Sequence, residues 1–452
     1  MYSNSIPMAP GGSLDAVVGV LAKHRDDDYY AYENRDGWYL GLGSHASLTV
    51  GPDGKTATKI CADRKTAALP VAGSINDIAR AFVAEYSALG RIYGQVGFNY
   101  AAIMSGQAYN PGQWPVLALM APRVHVSVCR DGITVSGHCD DEARSVYDLV
   151  KSSVVGGAAS AVSTNFMSVD VQVDCDDYAS RVGRATAEII QGKYIKAIPS
   201  RIVNLAERVD MLATLYHGRR ANTPARSFTL SHAGMQATGF SPEVLLSIKE
   251  QVVATEAVAG TRLVEGADPE PARDALMNDP KEVMEHAIAI KGSIRRLRRI
   301  CTPESLAVKD FMSVVPRGNV QHLYSCVTGT LESGKDGWDA LPGLVANITV
   351  PGIPGRGNME AIETFEPHPR DMYCGAVLML EPAAGLFEAT LVLRTVFQDQ
   401  QRQWLQAGAG VTSLSRPERE FTETCEKLGS IFPYLVAETK PWGELKGSHL
   451  VN

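Results

Sequence analysis

Three Asp-Gly turns, each set between strand-like runs, constrain this chain more than any other feature. YYAYENRDGWYLGLG (29–43) turns at Arg35-Asp36-Gly37, SLTVGPDGKTATKI (47–60) at Gly51-Pro52-Asp53-Gly54, and RVHVSVCRDGITVSGHC (123–139) at Asp131-Gly132. Asp-Gly supplies the positive φ that a tight hairpin needs, so these segments read as antiparallel strand pairs. IYGQVGFNYAAI (92–103), VLALMAPRVHVSV (116–128), IKAIPSRIVNL, SFTLSHAGMQATGF and VLLSIKEQVVATEAVA add further strand-like stretches. Helical periodicity is confined to a few segments: 75–89, where Ile78, Ala81, Phe82 and Tyr86 share a face behind Ser74 or Asn76, then 141–153 and 180–194. Many hairpins with few, long helices predict an α+β fold, with large antiparallel sheets packed as a sandwich and helices outside.

Size and composition narrow the function classes. A chain of 452 residues with 45% hydrophobic and 21% charged residues holds one large domain or two to three ordinary ones. The net charge of −7 offers no basic excess for a nucleic-acid backbone. No run approaches eighteen apolar residues, so no membrane span is expected. The start, MYSNSIPMAPGG, lacks the pattern of a secretory signal and reads as a loose tail. Eight cysteines without CxxC or zinc-like spacing suit reduced, packed thiols of a cytoplasmic protein. There is no GxGxxG or P-loop pattern. GGAASAVSTNF (156–166) is the best boundary candidate. It suggests a β-rich N-terminal half (1–180), a catalytic core (181–436) and a C-terminal tail (437–452).

Two helices carry paired carboxylates. NDPKEVMEHAIAIKGSIRRLRR (278–299) begins with Asp279 as cap, Pro280 at the first helical position and Glu282 placed to close a capping box. Val283, Ala287, Ile290, Ile294 and Leu297 form its apolar stripe. WLQAGAGVTSLSRPEREFTETCEKLGSIF (404–432) runs from a strand through a glycine turn into a second helix. Here Ser415 is the expected cap for Glu418. Glu282 and Glu285 are three apart on the first helix, as are Glu420 and Glu423 on the second, so each pair shares a face. A plain structural reading explains Glu282 by its cap and Glu423 by an ion pair with Lys427. Together the four carboxylates could hold a hard cation, and oxygen ligands suit Mg²⁺.

Other polar residues sit in apolar surroundings. Lys196 lies inside IKAI. An enclosed lysine gives up its proton more readily than a solvated one and can act as a base, whereas an edge-strand lysine only discourages aggregation. Arg394 in TLVLRTVF suits a carboxylate fork or a buried acid. His322 in VQHLYS reads equally well as a core histidine, and Glu243 in GFSPEVLL as a turn or helix-start acid.

In this order, GFSPEVLL (239–246), AVAGTRL (257–263), KEVMEHA (281–287), VQHLYS (320–325), MYCGAV (372–377), LVLR (391–394), AGAG (407–410) and PEREFTETCEKL (417–428) resemble the chorismate-utilising enzymes. These are the anthranilate, isochorismate and salicylate synthases, with salicylate synthase the best match. The resemblance covers about residues 180–436 and implies the anthranilate synthase component I-like fold. It implies Lys196 as the base on water, Glu243 as the acid on the departing C4 hydroxyl, and His322 beside the substrate in the lyase step. Glu285 and Glu423 would bind Mg²⁺ directly, and Glu282 and Glu420 through water. Tyr373, Arg394 and Gly408 would hold the enolpyruvyl carboxylate. Gly260 and Thr261 would line the ring site, Gly410 would let the backbone approach the substrate, and Lys427 would lie near the ring carboxylate.

The resemblance further implies chorismate as substrate and salicylate as product, feeding a siderophore or related compound. No glutamine amidotransferase partner is expected. Ammonia-using relatives carry glutamine at the position of Lys196, and aminodeoxychorismate synthases a lysine at that of Ala259. Two alternatives remain: an isochorismate synthase that stops at the intermediate, and a non-catalytic chorismate binder. The chain departs from the family pattern at Pro199, which removes a ladder donor and so puts the strand at an edge, in a bulge or out of pairing there, and at GIPGRG (352–357), which lacks a lysine.

Overall fold

The computed structural model of the chain describes residues 2–7, 12–155, 162–264, 266, 268–318, 320–345, 352–353 and 362–439. Its framework is two antiparallel sheets joined through two long paired strands, Gly37–Val50 and Leu117–Cys129. The pair bends where its register slips between Ser44 and Ala46, opposite Pro122. A bulge increases local twist, and proline has no N–H to give the ladder, so the sheet divides there.

From the first half of Gly37–Val50, one sheet runs through Tyr29–Glu33, Arg226–His232, Met235–Ser241, Thr395–Gln398 and Gln403–Gly408 to Ser200–Asn204. From the start of Leu117–Cys129, the other runs through Ile92–Val96, Ala376–Glu381, Leu386–Leu391, Val244–Lys249, Val252–Leu263 and Val320–Thr330 to Ala307–Arg317. All three Asp-Gly turns join paired strands as their sequences require.

Strand alternation divides the core. Tyr30, Tyr32, Phe228 and Leu230 face one buried cluster with Leu119, Leu246 and Leu378. Their neighbours Tyr29, Ala31, Trp38 and Leu40 face another, closed by Val17, Leu21, Val146, Leu212 and Leu215 from helices outside the sheet. The α+β reading holds.

The N-terminal segment is not a loose tail: it contains strand Tyr2–Ile6, zipped against Gly132–Gly137. IKAIPSRIVNL is not one strand. Lys196–Ala197 pairs with Gly352–Ile353, whereas Ser200–Asn204 joins the large sheet, with Pro199 between them. Residues 156–161 of the boundary segment, 354–357 of GIPGRG and 440–452 of the tail lie outside the described residues. Helix Ile75–Tyr86 starts behind Ser74, whose hydroxyl accepts from the Asn76 N–H, but its buried positions include Ala79 rather than Ala81.

Two helices close over the ends of the sheets. Pro280–Leu297 packs on Val252–Leu263 and Val320–Thr330, and Pro417–Leu428 packs on Gln403–Gly408 and helix Tyr178–Ile190. The first is rotated from its apolar stripe: Glu282, His286, Ala289, Ile290, Ser293 and Leu297 face inward, while Ala287 is exposed. Three polar residues are thus buried where hydrophobicity alone would have put them outside. No described helix is long and apolar enough to cross a membrane.

Candidate active site

The carboxylate helix is capped as its sequence requires, the Asp279 carboxylate accepting from the Lys281 and Glu282 N–H groups. Glu282 does not complete the capping box. Its Oε2 instead accepts from the Thr261 N–H at 3.0 Å, and Lys281 Nζ lies 3.1 Å from its Oε1. The Thr261 amide is available because strand Val252–Leu263 slips register between Ala259 and Thr261. Gly260 at this bulge has φ +83°, which favours glycine, and an added Cβ would meet Glu282 Oε2 at 3.2 Å. The second helix starts from Arg416 with Pro417 at its first position and has no side-chain cap. Ser415 turns its hydroxyl back to the Thr412 N–H, so it does not cap Glu418.

The two helices and the strand ends between them enclose one cavity, about 900 Å³ including its open mouth. It is lined by Lys196, Glu243, Gly260, Thr261, Glu282, Glu285, His322, Tyr373, Arg394, Gly408, Gly410, Glu423 and Lys427. Glu420, of all the site residues read from the sequence, is the one missing from that lining; it is buried beside Glu423.

At the carboxylate end three of the four acids have a lysine within 4 Å. Lys196 Nζ lies 2.6 Å from Glu285 Oε1, and Lys427 Nζ lies 2.8 Å from Glu423 Oε1. Lys281 bridges Glu282 and, at 3.8 Å, Glu285. Burial opposes ionisation of Glu423, but Lys427 and Lys281 outweigh it and hold that carboxyl below the usual range. Glu420 is pushed up, first by burial and then by the charge on Glu423. Lys281 was missed in the sequence, although it stands four residues before Glu285 on the same helix face.

The four acids supply the hard oxygen donors that suit Mg²⁺, and Glu420 Oε2 is buried without a partner. Among the described residues, no three such groups are gathered closely enough around one point to coordinate an ion as they stand.

Elsewhere in the cavity, Arg394 lies between strands at φ +52°, an unusual conformation for a non-glycine residue. Its guanidinium donates to the Arg317 carbonyl at 3.2 Å and to His322 Nε2 at 2.6 Å. No described carboxylate pairs with it, contrary to the plain reading of a buried ion pair. Burial, with Arg317 alongside, brings its pKa down to about 10. His322 is not a generic core histidine. Since Nε2 accepts from Arg394, the proton belongs on Nδ1, within 3.1 Å of the Gly260 carbonyl and Thr261 Oγ1. Burial and then Arg394 lower its pKa, so the ring is neutral.

Glu243 is neither a turn acid at the surface nor a helix start. It is buried immediately before strand Val244–Lys249, with Oε1 unpartnered. Burial first, and the charge of Glu256 second, push its pKa well above the carboxylate range. Lys196 is only 2% exposed, which excludes the edge-strand reading. Gly408 and Gly410 permit close approaches. A Cβ at Gly408 would lie 2.6 Å from the Pro199 carbonyl, and one at Gly410 would lie 2.8 Å from Glu285 Oε1.

This architecture coincides with a known one. The profile of the chorismate binding enzymes matches residues 27–433. The chain belongs to the chorismate-binding enzyme family. A salicylate synthase of Mycolicibacterium paratuberculosis is 36% identical over 451 residues, covering 96% of each chain. Anthranilate synthase component 1 of Saccharolobus solfataricus is 30% identical over 321 residues, covering 70% of this chain and 73% of that one.

Among solved structures, the menaquinone-specific isochorismate synthase of Escherichia coli superposes with a TM-score of 0.72 at 22% identity, covering 96% of this chain and 94% of that one. Anthranilate synthase component I of Streptococcus pneumoniae gives a TM-score of 0.69 at 20% identity, covering 89% and 92%. These two likenesses establish the family's fold.

Proposed function

We propose that this chorismate-binding enzyme is a Mg²⁺-dependent salicylate synthase, converting chorismate through isochorismate to salicylate and pyruvate. The observation that carries this reading is that Lys196 and Glu243 line the same cavity. A buried lysine and a buried carboxyl with Oε1 unpartnered line one cavity together with a carboxylate cluster and an arginine that has no acidic partner among the described residues. The extent of similarity to a salicylate synthase supports the same choice.

Chorismate carries two carboxylates. Arg394 and Tyr373 would receive the enolpyruvyl carboxylate, where a guanidinium without an acid can form charge-assisted bonds. Glu285 and Glu423, supported by Glu282 and Glu420, would hold Mg²⁺, which when bound neutralises and orients the ring carboxylate. In the first step Lys196 takes a proton from water as its oxygen bonds to C2. Both ring double bonds shift by one position, and Glu243 gives its proton to the C4 hydroxyl, which leaves as water.

In the second step the C2 hydrogen passes to the enolpyruvyl methylene as the C–O bond breaks, releasing pyruvate and an aromatic ring. No protein group exchanges a proton in that transfer. Neutral His322, fixed by Arg394 and Gly260, limits the conformers the side chain can take. Salicylate would serve as precursor for a siderophore or related aryl-capped product.

The test is to incubate the protein with chorismate and Mg²⁺ while following salicylate fluorescence and separating products. Salicylate and pyruvate should appear in equal amounts. Isochorismate accumulating without salicylate would overturn the assignment in favour of an isochorismate synthase, and bound but unconverted chorismate would indicate a binder.

A further inference from the structure

Glu256 has no place in the chemistry above, yet it is buried directly behind the proposed acid. It stands on strand Val252–Leu263 with 6% exposure. Its Oε2 accepts from the Val244 N–H at 2.7 Å and its Oε1 from the Tyr324 hydroxyl at 3.1 Å. Both oxygens are thus engaged as hydrogen-bond acceptors.

The Val244 amide follows Glu243 directly and lies at a register slip in the pairing of Val244–Lys249 with Leu386–Leu391. A bulge removes a backbone donor from the ladder, and a buried donor left unpaired costs about 1–3 kcal/mol. On the other side, the Glu243 carbonyl accepts from the Leu391 N–H, Thr390 Oγ1 and Ser241 Oγ. The backbone of Glu243 is therefore clamped from both directions, with Glu256 forming one jaw.

We propose that Glu256 is a positioning residue for the acid: it fixes the backbone that aims Glu243 into the cavity, and its negative charge holds the proton on Glu243 until the C4 hydroxyl takes it. This rests on the reading of Glu243 as that acid. A like charge in a dry site disfavours a second one, so the neighbouring carboxyl stays neutral and able to donate.

Several other charged or titratable groups lie on the elements around Glu243. Arg226 and Glu388 form a mutual pair at 2.5 Å. Arg317 donates to the Pro242 carbonyl, and Arg394 to neutral His322. Tyr324 donates to Glu256 itself. Glu256 is thus the acid among them without a described lysine or arginine in ion-pair contact.

The test is Glu256→Gln, compared with Glu243→Gln and the parent in pH profiles of kcat. Glutamine keeps an acceptor for the Val244 N–H and removes the charge. The alkaline limb, where Glu243 loses its proton, should move to lower pH, so more activity is lost at pH 8 than at pH 6. Circular dichroism checks the fold. If Glu256→Gln does not fold, Tyr324→Phe serves instead. It leaves the backbone bond in place but strips away the hydroxyl dipole that offsets the charge, so the limb should move to higher pH.

A limb unmoved in the variant tested, with Glu243→Gln inactive, overturns the role of Glu256 alone. Full activity in Glu243→Gln overturns the acid assignment beneath it.

Discussion

Gly410→Ala offers a test in which a single methyl group separates site geometry from fold. Gly410 lies beside the proposed base and a proposed metal ligand. Its φ lies outside the left-handed region, so alanine meets no backbone strain there. The new Cβ would lie 2.8 Å from Glu285 Oε1, 2.9 Å from Lys196 Cε and 3.3 Å from Lys196 Nζ. Ordinary contact begins at 3.4 Å, so the ion pair must retreat by roughly 0.5 Å.

Both neighbours are ends of flexible side chains, so the fold can absorb the change. Overpacking costs about 1–3 kcal/mol and is partly offset by the about 0.4–1 kcal/mol gained when glycine is removed from the unfolded chain. Catalysis is less forgiving. A displacement of about 1 Å can cost ~100-fold in rate, so half of that should lower kcat roughly tenfold, about 1.4 kcal/mol of barrier.

The assay is steady-state salicylate formation together with thermal denaturation. Two controls frame it. At Gly408 the methyl would meet the Pro199 carbonyl at 2.6 Å, backbone that cannot swing aside, so Gly408→Ala should lose stability together with activity. At Gly343, an exposed helical glycine with nothing within 4 Å, alanine should stabilise by about 0.5–1 kcal/mol. Parental kcat in a folded Gly410→Ala protein would refute the claim that the Lys196–Glu285 geometry limits the reaction.

Four further outcomes are expected. Glu243→Gln should lower kcat by about 10²–10⁴. Because the folded protein raises the pKa of Glu243, its stability contribution is complete below the unfolded value of about 4.3 and is lost as pH rises toward the raised value. The variant's melting temperature should therefore gain on the parent's as pH increases, and parallel curves would contradict the burial argument. Arg394→Ala should chiefly raise KM, by a factor corresponding to about 1.5–3 kcal/mol for a charge-assisted contact; an unchanged KM would remove it from the carboxylate site. Lys196→Ala should lose about 10²–10⁴ in kcat, and parental activity would show another base at work. Chelation should abolish activity and added Mg²⁺ restore it, while Glu285→Gln should raise the Mg²⁺ concentration required; full turnover in chelator would dismiss the metal assignment.

Local chemistry made much of this molecule legible. The Asp-Gly turns supply a backbone conformation that a hairpin cannot do without, and all three join paired strands. Asp279 and Pro280 start their helix where the free N–H groups of a first turn demand it. Pro199 breaks its ladder because it has no proton to give. Such signals act over a few residues, which is the range at which sequence spacing fixes distance.

The errors arose where distant segments compete for the same group. Glu282 had a local partner available in its cap, but the Gly260 bulge offered the Thr261 amide instead. The inward face of Pro280–Leu297 was misjudged because His286 and Ser293 are polar yet buried, His286 finding a partner in Ser325. Apolar periodicity cannot anticipate a polar partner from another strand.

By itself, the sequence determined the three Asp-Gly hairpins and the Ser74 and Asp279 caps, and it placed carboxylates three apart on two helices. Only the tertiary structure decided that Lys196, Glu243, Arg394 and most of those carboxylates share one cavity, that Lys281 stands among the acids, and that Glu256 sits behind Glu243. The physical reason is reach. Periodicity fixes neighbours within an element, whereas charges, unpaired atoms and close glycine contacts between elements exist only once the two sheets and their covering helices have packed.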